Sequence, residues 1–282
     1  MLKALLIAII VIVALVVLFY VYVRSYYYWI PATIRNPLST DKTILTRSST
    51  PIVPEGYQTN FGAADPFVVG EHVFAEIMKG GKGIIGVAET TGSKLSFTPV
   101  LEEDFHLSYP QVFSHDNEWY MIPEAHQSGS ILLYKAVGYP KKWDLVRKIS
   151  DIDGVDPTIF RLHGCWYIFV ASAESHETFL LKTDHFPAGP WEKAVRNPLP
   201  KGYRGGGSAL YWGGDVVLPV QPPTPFLRPY GQKLELHRIA PDLSFNYIKD
   251  VTPPPGAGGL HHLSCLDDGN ECMVDLRRYK RV

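Results

Sequence analysis

The sequence predicts an all-β protein: a five-bladed β-propeller preceded by a single N-terminal transmembrane helix. Two observations predict it. A hairpin recurs at a nearly constant spacing, and one long uncharged apolar run opens the chain. Residues 64–78 read ADPFVVGEHVFAEIM, 109–123 read YPQVFSHDNEWYMIP and 156–170 read DPTIFRLHGCWYIFV. Each joins a residue-proline step to a short apolar run, a polar turn and a second run rich in apolar and aromatic residues. Pro66, Pro110 and Pro157 are 44 and 47 residues apart. Strands repeated at such a period belong to radially arranged sheets. An open sandwich with chance similarity fits a period held over three units less well.

The first element is the anchor. Ala4–Val23 is 20 residues without a charge, between Lys3 and Arg24. At ~1.5 Å per residue it would span ~30 Å, one hydrocarbon core. The run is too long for the apolar region of a cleaved signal peptide. It passes into Phe19, Tyr20, Tyr22, Tyr26, Tyr27, Tyr28 and Trp29, which read as an interfacial aromatic belt. Residues 1–29 are thus expected to be the anchor, 30–60 a linker rich in Pro, Ser and Thr, and 61–282 the propeller. Counting Lys and Arg alone favours a cytoplasmic globular domain. The resemblance described below implies the lumenal or extracytoplasmic side, which is the expectation taken here. No Asn-X-Ser/Thr acceptor occurs.

The blades follow in order. The three sharp hairpins give blades one to three. GSALYWGGDVVLPV at 207–220 gives a fourth, and LHHLSCLDDGNECMVD at 260–275 a fifth around the turn Asp268-Gly269. Between them lie further strands with aromatic-centred partners: GIIGVAE with Leu95–Phe97, ILLYKAV with Trp143–Leu145, TFLLKTD with Trp191-Glu192, and KLELHRI with Leu243–Phe245. The last unit shows only two strands. Its outer strands are expected from the segment near Lys42–Arg47, closing the ring. The proline-rich stretches 221–229 and 252–258 read as rigid loops.

Charge and cysteines exclude some functions. Net charge is −1, and the only basic run is Arg277, Arg278, Lys280 and Arg281, so no nucleic-acid partner is expected. No cofactor and no metal are expected, since the three cysteines show no zinc spacing with histidine. Cys165 reads as a buried small hydrophobe. Cys265 and Cys272 face each other across the last hairpin, as a disulfide in an oxidising compartment or as two reduced thiols.

Propellers gather the starts of their innermost strands around one funnel. Asp65 and Asp156 precede prolines at two such starts, where the residue before proline is expected to be extended. Asp-Pro can simply cap a turn, but its recurrence on two blades points to a shared site. His106 and Tyr109 hold the equivalent place in blade two, Arg204 in blade four, and His261 and His262 in blade five. Glu76 and Glu124 end the second strands of blades one and two, where a carboxylate needs a partner if buried. Glu102, Glu103 and Asp104 read as solvated loop charges. The funnel is thus expected to be polar, mixed in charge and suited to a glycan or glycolipid headgroup.

The pattern ADPFVV, HLSYPQVF, WYMIPEA, VDPTIF and WYIFVAS, over residues 60 to 275, resembles the N-terminal propeller domain of glucosamine inositolphosphorylceramide transferases. More distantly it is similar to the five-bladed superfamily of family 43 glycoside hydrolases. That resemblance implies a catalytic Asp65 as general base, an Asp156 that orients and tunes the acid, and a blade-four Glu as acid. Blade four reads RGGGSALYW, with no carboxylate between Arg204 and Asp215. Glu124 is the substitute candidate, and Glu76, His106, Tyr109, Arg204, His261 and His262 are expected to bind the substrate. The implied function is a membrane-anchored, carbohydrate-active propeller with a possible partner glycosyltransferase. The alternative is a non-catalytic glycan-binding or protein-interaction module.

Overall fold

The computed structural model describes residues 2–25, 27–90, 94–225, 230–266 and 269–279. Tyr26 of the expected belt, Asp268 of the last turn, Pro229, Lys280 and Arg281 lie outside them. Helix α1 covers Leu2–Ser25, and its described side chains, residues 5–18, are exposed. Among the described residues no helix is long and apolar enough to cross a membrane.

After the helix come β1 (Tyr27–Arg35), β2 (Leu45–Ser48) and the short β3 (Thr50–Ile52). Blade one is β4 (Ala64–Val69), β5 (His72–Lys79), β6 (Lys82–Glu89) and β8 (Thr98–Leu101); β7 (Lys94–Ser96) pairs with β3 instead. Blade two is β9 (Ser108–His115), β10 (Glu118–Glu124), β11 (Ile131–Gly138) and β12 (Lys142–Ser150). Blade three is β13 (Gly154–Leu162), β14 (Cys165–Ser172), β15 (Thr178–Thr183) and β16 (Glu192–Arg196). Blade four has a split inner strand, β17 (Arg204–Gly205) and β18 (Leu210–Trp212). Both pair with β19 (Asp215–Gln221), followed by β20 (Leu234–Ile239) and β21 (Phe245–Val251). Blade five is built from both ends of the chain, in the order β22 (Gly259–Cys265), β23 (Glu271–Tyr279), β1, β2. The expected five-bladed propeller is therefore present, closed as anticipated by an N-terminal segment.

Two expectations about that segment are corrected. The linker assigned to residues 30–60 contains most of β1 and all of β2 and β3. The stretch YYWIPATIR hides its strand because Pro31 withholds a ladder donor, and proline within a run argues against a central strand. Here Pro31 faces Asp275, within nine register pairs joining β1 to β23. Trp29, assigned to the membrane belt, is 4% exposed and belongs to the propeller core.

Apolar packing is divided among five clusters, one at each junction between blades. Blades two and three share Ile122, Leu133, Ile159, Ile168 and Val170. Blades four and five share Leu234, Leu236, Leu260 and Leu263, covered by Ala32 and Ile34 of β1. The ring centre is stitched by polar contacts between inner strands. The Gln111 amide both donates to Ile159 O at 2.9 Å and accepts from Ile159 N at 2.7 Å. Leu263 N reaches Gly206 O at 2.8 Å.

Cys265 and Cys272, opposite each other on β22 and β23, form a disulfide, which settles the pair of readings left open above. Cys165 is half-buried at the start of β14, not fully buried. Replacing Cys272 by Ser is expected to cost about 2–3 kcal/mol by the chain-entropy argument for so short a loop. Urea unfolding without reductant measures this; a loss below about 1 kcal/mol would count against a persistent bond.

Candidate functional site

The site begins with a repeated backbone irregularity. Near the start of the inner strands of blades one, two, three and five the pairing with the second strand slips: between Ala64 and Phe67, opposite Ile122 and Glu124, between Val155 and Thr158, and between Leu260 and Leu263. The residues at these slips are Asp65, Tyr109, Asp156 and His261. Asp65, Tyr109 and Asp156 have φ of 49, 47 and 47°. This corrects the extended conformation expected before proline. A bulge re-aims its extra residue toward the funnel, at a cost of ~1–2 kcal/mol for an L-residue in the left-handed region. Two of the amides so released from the ladder are satisfied by carboxylates of the preceding blade. Asp156 N donates to Glu124 Oε2 at 3.0 Å, and Asp65 N donates to Asp275 Oδ2 at 3.1 Å.

Asp156 anchors one half of the funnel. Arg204 brings Nε and Nη2 to its Oδ2, each at 2.7 Å, and Gln221 Nε2 donates to the same oxygen at 2.9 Å. Arg204 Nη2 also lies 4.0 Å from Glu124 Oε2. Tyr230 donates to Gln221 Oε1 at 2.6 Å and lies under the guanidinium, 5.3 Å from ring to cation. His126 Nδ1 is 2.8 Å from Glu124 Oε1. Against the upward push of burial, His126, Arg204 and hydrogen bonds with Asp156 bring Glu124 down to about 2. Burial holds Asp156 well above the usual carboxylate range; Arg204 opposes this and Glu124 adds to it.

Asp65 anchors the other half. His261 lies between two carboxylates, with Nδ1 2.8 Å from Asp275 Oδ2 and Nε2 3.3 Å from Asp65 Oδ1. The amides of His261 and His262 both donate to Asp275 Oδ1 at 3.1 Å. Trp29 packs on the His261 ring at 4.2 Å, and Tyr230 meets it edge-on at 4.9 Å, linking the two halves. Burial drives Asp65 well above its ordinary value, and Asp156, Asp275, Glu76 and Glu124 push it further. The contact of Asp65 Oδ1 with His261 Nε2 is off hydrogen-bond geometry, so that oxygen is poorly satisfied. Ligand atoms of Asp65, His261 and Asp275 lie within 4.8 Å of one another, close enough to hold a cation. His261 already bridges both carboxylates, so a cation would displace one of those contacts.

The other predicted residues fall into two groups. Glu76 and His106 pair at 3.1 Å, and the Gly83 amide donates to His106 Nδ1 at 3.0 Å. Tyr109 and His262 are both 0% exposed. Tyr109 Oη meets Thr158 Oγ1 at 2.6 Å, donates to Gly207 O at 3.0 Å and accepts from Gly207 N at 2.6 Å. It ties three blades together beneath the funnel. His262 sits against Phe67 and Tyr109, and burial lowers it to about 3, so it is neutral. Tyr109→Phe is expected to cost about 1–3 kcal/mol through the lost buried hydrogen bonds, with ligand affinity unchanged in the folded fraction. Paired urea unfolding and binding titrations check both halves.

The absent blade-four acid has a steric cause. A Cβ on Gly205 would lie 2.2 Å from Asp156 O, and one on Gly207 1.8 Å from Leu263 O. These glycines let blade four approach its neighbours, and the same approach leaves no space for a carboxylate. Asp215 is the first residue of β19, beside the hairpin turn at the far rim, exposed and 3.4 Å from Arg238. Sequence reasoning missed Trp29, His126, Gln221, Tyr230 and Asp275. Asp275 in LDDGNECMVD carried a usable signal, as a carboxylate inside an otherwise apolar second strand. A separate cavity of about 1020 Å³, lined by His115, Arg161, Trp166 and Tyr211, opens at the opposite end of the ring.

Fold and funnel together define a five-bladed propeller of glycoside-hydrolase-like fold with a buried cluster of carboxyl groups at its funnel. The chain is similar in fold to the catalytic domain of a family 62 α-L-arabinofuranosidase of Coprinopsis cinerea, with TM-score 0.55 and 14% identity, covering 81% of this chain and 96% of that one. It is similar also to the exo-β-1,3-galactanase of Phanerochaete chrysosporium in complex with galactose, with TM-score 0.53 and 8% identity, covering 81% and 56%. The chain belongs to the family described as glucosamine inositolphosphorylceramide transferase 1, N-terminal, whose model matches residues 37–252. It is 31% identical over 203 residues to the transferase of that name from Oryza sativa subsp. indica, covering 65% of this chain and 27% of the relative. For the Arabidopsis thaliana protein the identity is 31% over 148 residues, covering 48% and 19%. The match thus spans about a quarter of the rice relative's length.

Proposed function

We propose that this protein is a membrane-anchored carbohydrate-binding propeller whose funnel holds a neutral or amine-bearing glycan, free or as a glycolipid headgroup. One observation carries the reading: five carboxyl groups, Asp65, Glu76, Glu124, Asp156 and Asp275, are buried at the funnel, and among the described residues Arg204 is the only lysine or arginine paired with any of them. Such a site offers many acceptors to hydroxyl or ammonium groups and repels phosphate. Trp29 and Tyr230 add apolar faces suited to a sugar ring. Anchoring rests on the uncharged run Ala4–Val23. The Cys265–Cys272 disulfide supports a lumenal or extracytoplasmic propeller.

The names of the relatives support carbohydrate association. The transferase activity of those longer proteins enters this reading only as a partner glycosyltransferase acting on the bound glycan. Hydrolysis is the second reading, favoured by the buried Asp65, whose carboxyl is raised by burial and by neighbouring carboxyls and so is suited to take up a proton as general base.

The test is calorimetric titration of the full chain in detergent micelles with neutral, amino and phosphorylated oligosaccharides, with products followed by chromatography. Saturable binding of the first two classes without cleavage supports the binding reading, and sugar release moves the protein to the hydrolases. If no glycan binds, or phosphorylated ones bind best, the proposal fails. A fragment for such work has to begin at Tyr27, because a start at residue 31 removes Trp29 from the wall of the site.

A further inference from the structure

The two ends of the propeller ring differ in what they carry. Inner strands start at the funnel mouth, second strands return to it and third strands start from it again. In blade five the third strand is β1, whose first residue, Tyr27, pairs with Tyr279 at the end of β23. Tyr27 therefore lies on the mouth side, two residues beyond the level at which Trp29 pairs with Arg277 and Arg277 with Gly259. Only residue 26 separates Tyr27 from the end of α1. Four residues, at most about 14 Å of extended chain, lead from Ser25 to Trp29, and Trp29 packs on His261 of the site.

The surface around this point has the chemistry of a lipid interface. Tyr279 is 47% exposed, and Tyr27 and Tyr28 are half-buried. Arg277, 1% exposed, lies beneath the Tyr27 and Tyr279 rings, 5.7 Å from each, and donates to the carbonyls of Tyr230 and Gly258, so it braces the two tyrosines from below, while the half-buried Arg278 is the cation at the surface. Arg278 reaches the carbonyl of Gly256 in the neighbouring proline-rich loop. Tyrosine beside arginine at a helix end is the arrangement favoured at the headgroup layer. The opposite rim bears the hairpin turns, the cavity near Trp166 and no attachment to α1.

From this topology we infer that the funnel-mouth face of the propeller lies against the bilayer that holds α1. The funnel then opens toward the headgroups of its own membrane, and a ligand reaches it along that surface. The inference rests on the anchoring reading above. It adds the direction in which the site points, which the anchor alone does not fix.

The experiment uses the full chain with Cys165→Ser and one new surface cysteine carrying a fluorophore, in phosphatidylcholine vesicles containing a headgroup-nitroxide phosphatidylcholine. One label is at Thr252→Cys, on the mouth side just after Val251, which pairs with Leu234 at the start of β20. The other is at Glu71→Cys, in the turn between β4 and β5 at the opposite rim. Both positions are exposed. Strands of about seven residues at ~3.3 Å each set the two faces roughly 20 Å apart. The expected result is several-fold stronger quenching at Thr252→Cys than at Glu71→Cys, reduced by a long Gly-Ser spacer inserted after Ser25. Equal quenching, or stronger quenching at Glu71→Cys, in protein that floats with the vesicles overturns the orientation and leaves the anchor standing. Failure to float overturns both and locates the error in the anchor.

Discussion

Replacing Asp65 by Asn is expected to raise the melting temperature of the protein while weakening its glycan complex at least about tenfold, roughly the worth of one good hydrogen bond to a charged group. The carboxyl is buried, its Oδ1 has only the poorly aligned His261 Nε2 at 3.3 Å, and four other carboxyls raise it further. The sign follows from linkage. A carboxyl raised in the folded state contributes its full stability below its unfolded value near about 3.9 and loses it as pH rises toward the folded value. The advantage of the Asn variant should therefore grow from about pH 4 upward. The acid limb should be shared by both proteins. Glu124, lowered to about 2, and Asp275, also lowered despite burial, stabilise the fold above the unfolded carboxylate range and lose that effect only in acid. Calorimetric melts from about pH 4 to 8 would show the divergence. A variant that melts lower at every pH would mean that Asp65 supports the fold and is not held there for a ligand. If the protein hydrolyses its glycan, turnover should also fall by roughly 10²–10⁴.

Arg204→Met should have the largest effect on stability. It leaves Asp156 and Glu124 buried without the guanidinium, while Gln221 remains on one Asp156 oxygen and His126 on Glu124. Breaking a fully buried pair costs ~3–5 kcal/mol. The Arg204 side chain is 35% exposed, so about 2–3 kcal/mol is the expectation here. Without the guanidinium Asp156 rises further, so the loss should be greater near about pH 8 than about pH 5, where the carboxyl takes up a proton more readily. Urea unfolding at both values measures it. Arg204→Lys should recover only part, because one ammonium cannot reproduce the paired approach of Nε and Nη2. A neutral Arg204→Met, within about 0.5 kcal/mol at the higher pH, would show that the network is not under electrostatic tension.

Blade positions were legible because their signal is local. Asp-Pro, Tyr-Pro and the aromatic second strands mark each inner hairpin, and counting between prolines places Asp65 and Asp156 on one funnel. The same local signal misled about backbone. Proline argues for an extended predecessor, but the bulge, a property of the paired sheet, puts Asp65 and Asp156 in the left-handed region. Residues supplied by long-range pairing left little trace. Trp29 read as a membrane residue because its neighbours are tyrosines, and only β23 makes it a wall of the site. Gln221 and Tyr230 looked like the ends of a proline-rich loop. The run RGGGS was read as a missing acid; the close approach of three strands is the physical reason that no acid is there.

The junction of α1 with β1 also sets the mechanical behaviour of the protein. A pull exerted through the N-terminal helix along the axis of β1 runs perpendicular to the hydrogen bonds of its nine register pairs with β23. Load applied in that direction shears all the pairs together, where a pull across the strand would part them one after another. The tether thus loads the closing seam of the ring in its resistant direction, and the first strand of the fold doubles as its strain relief.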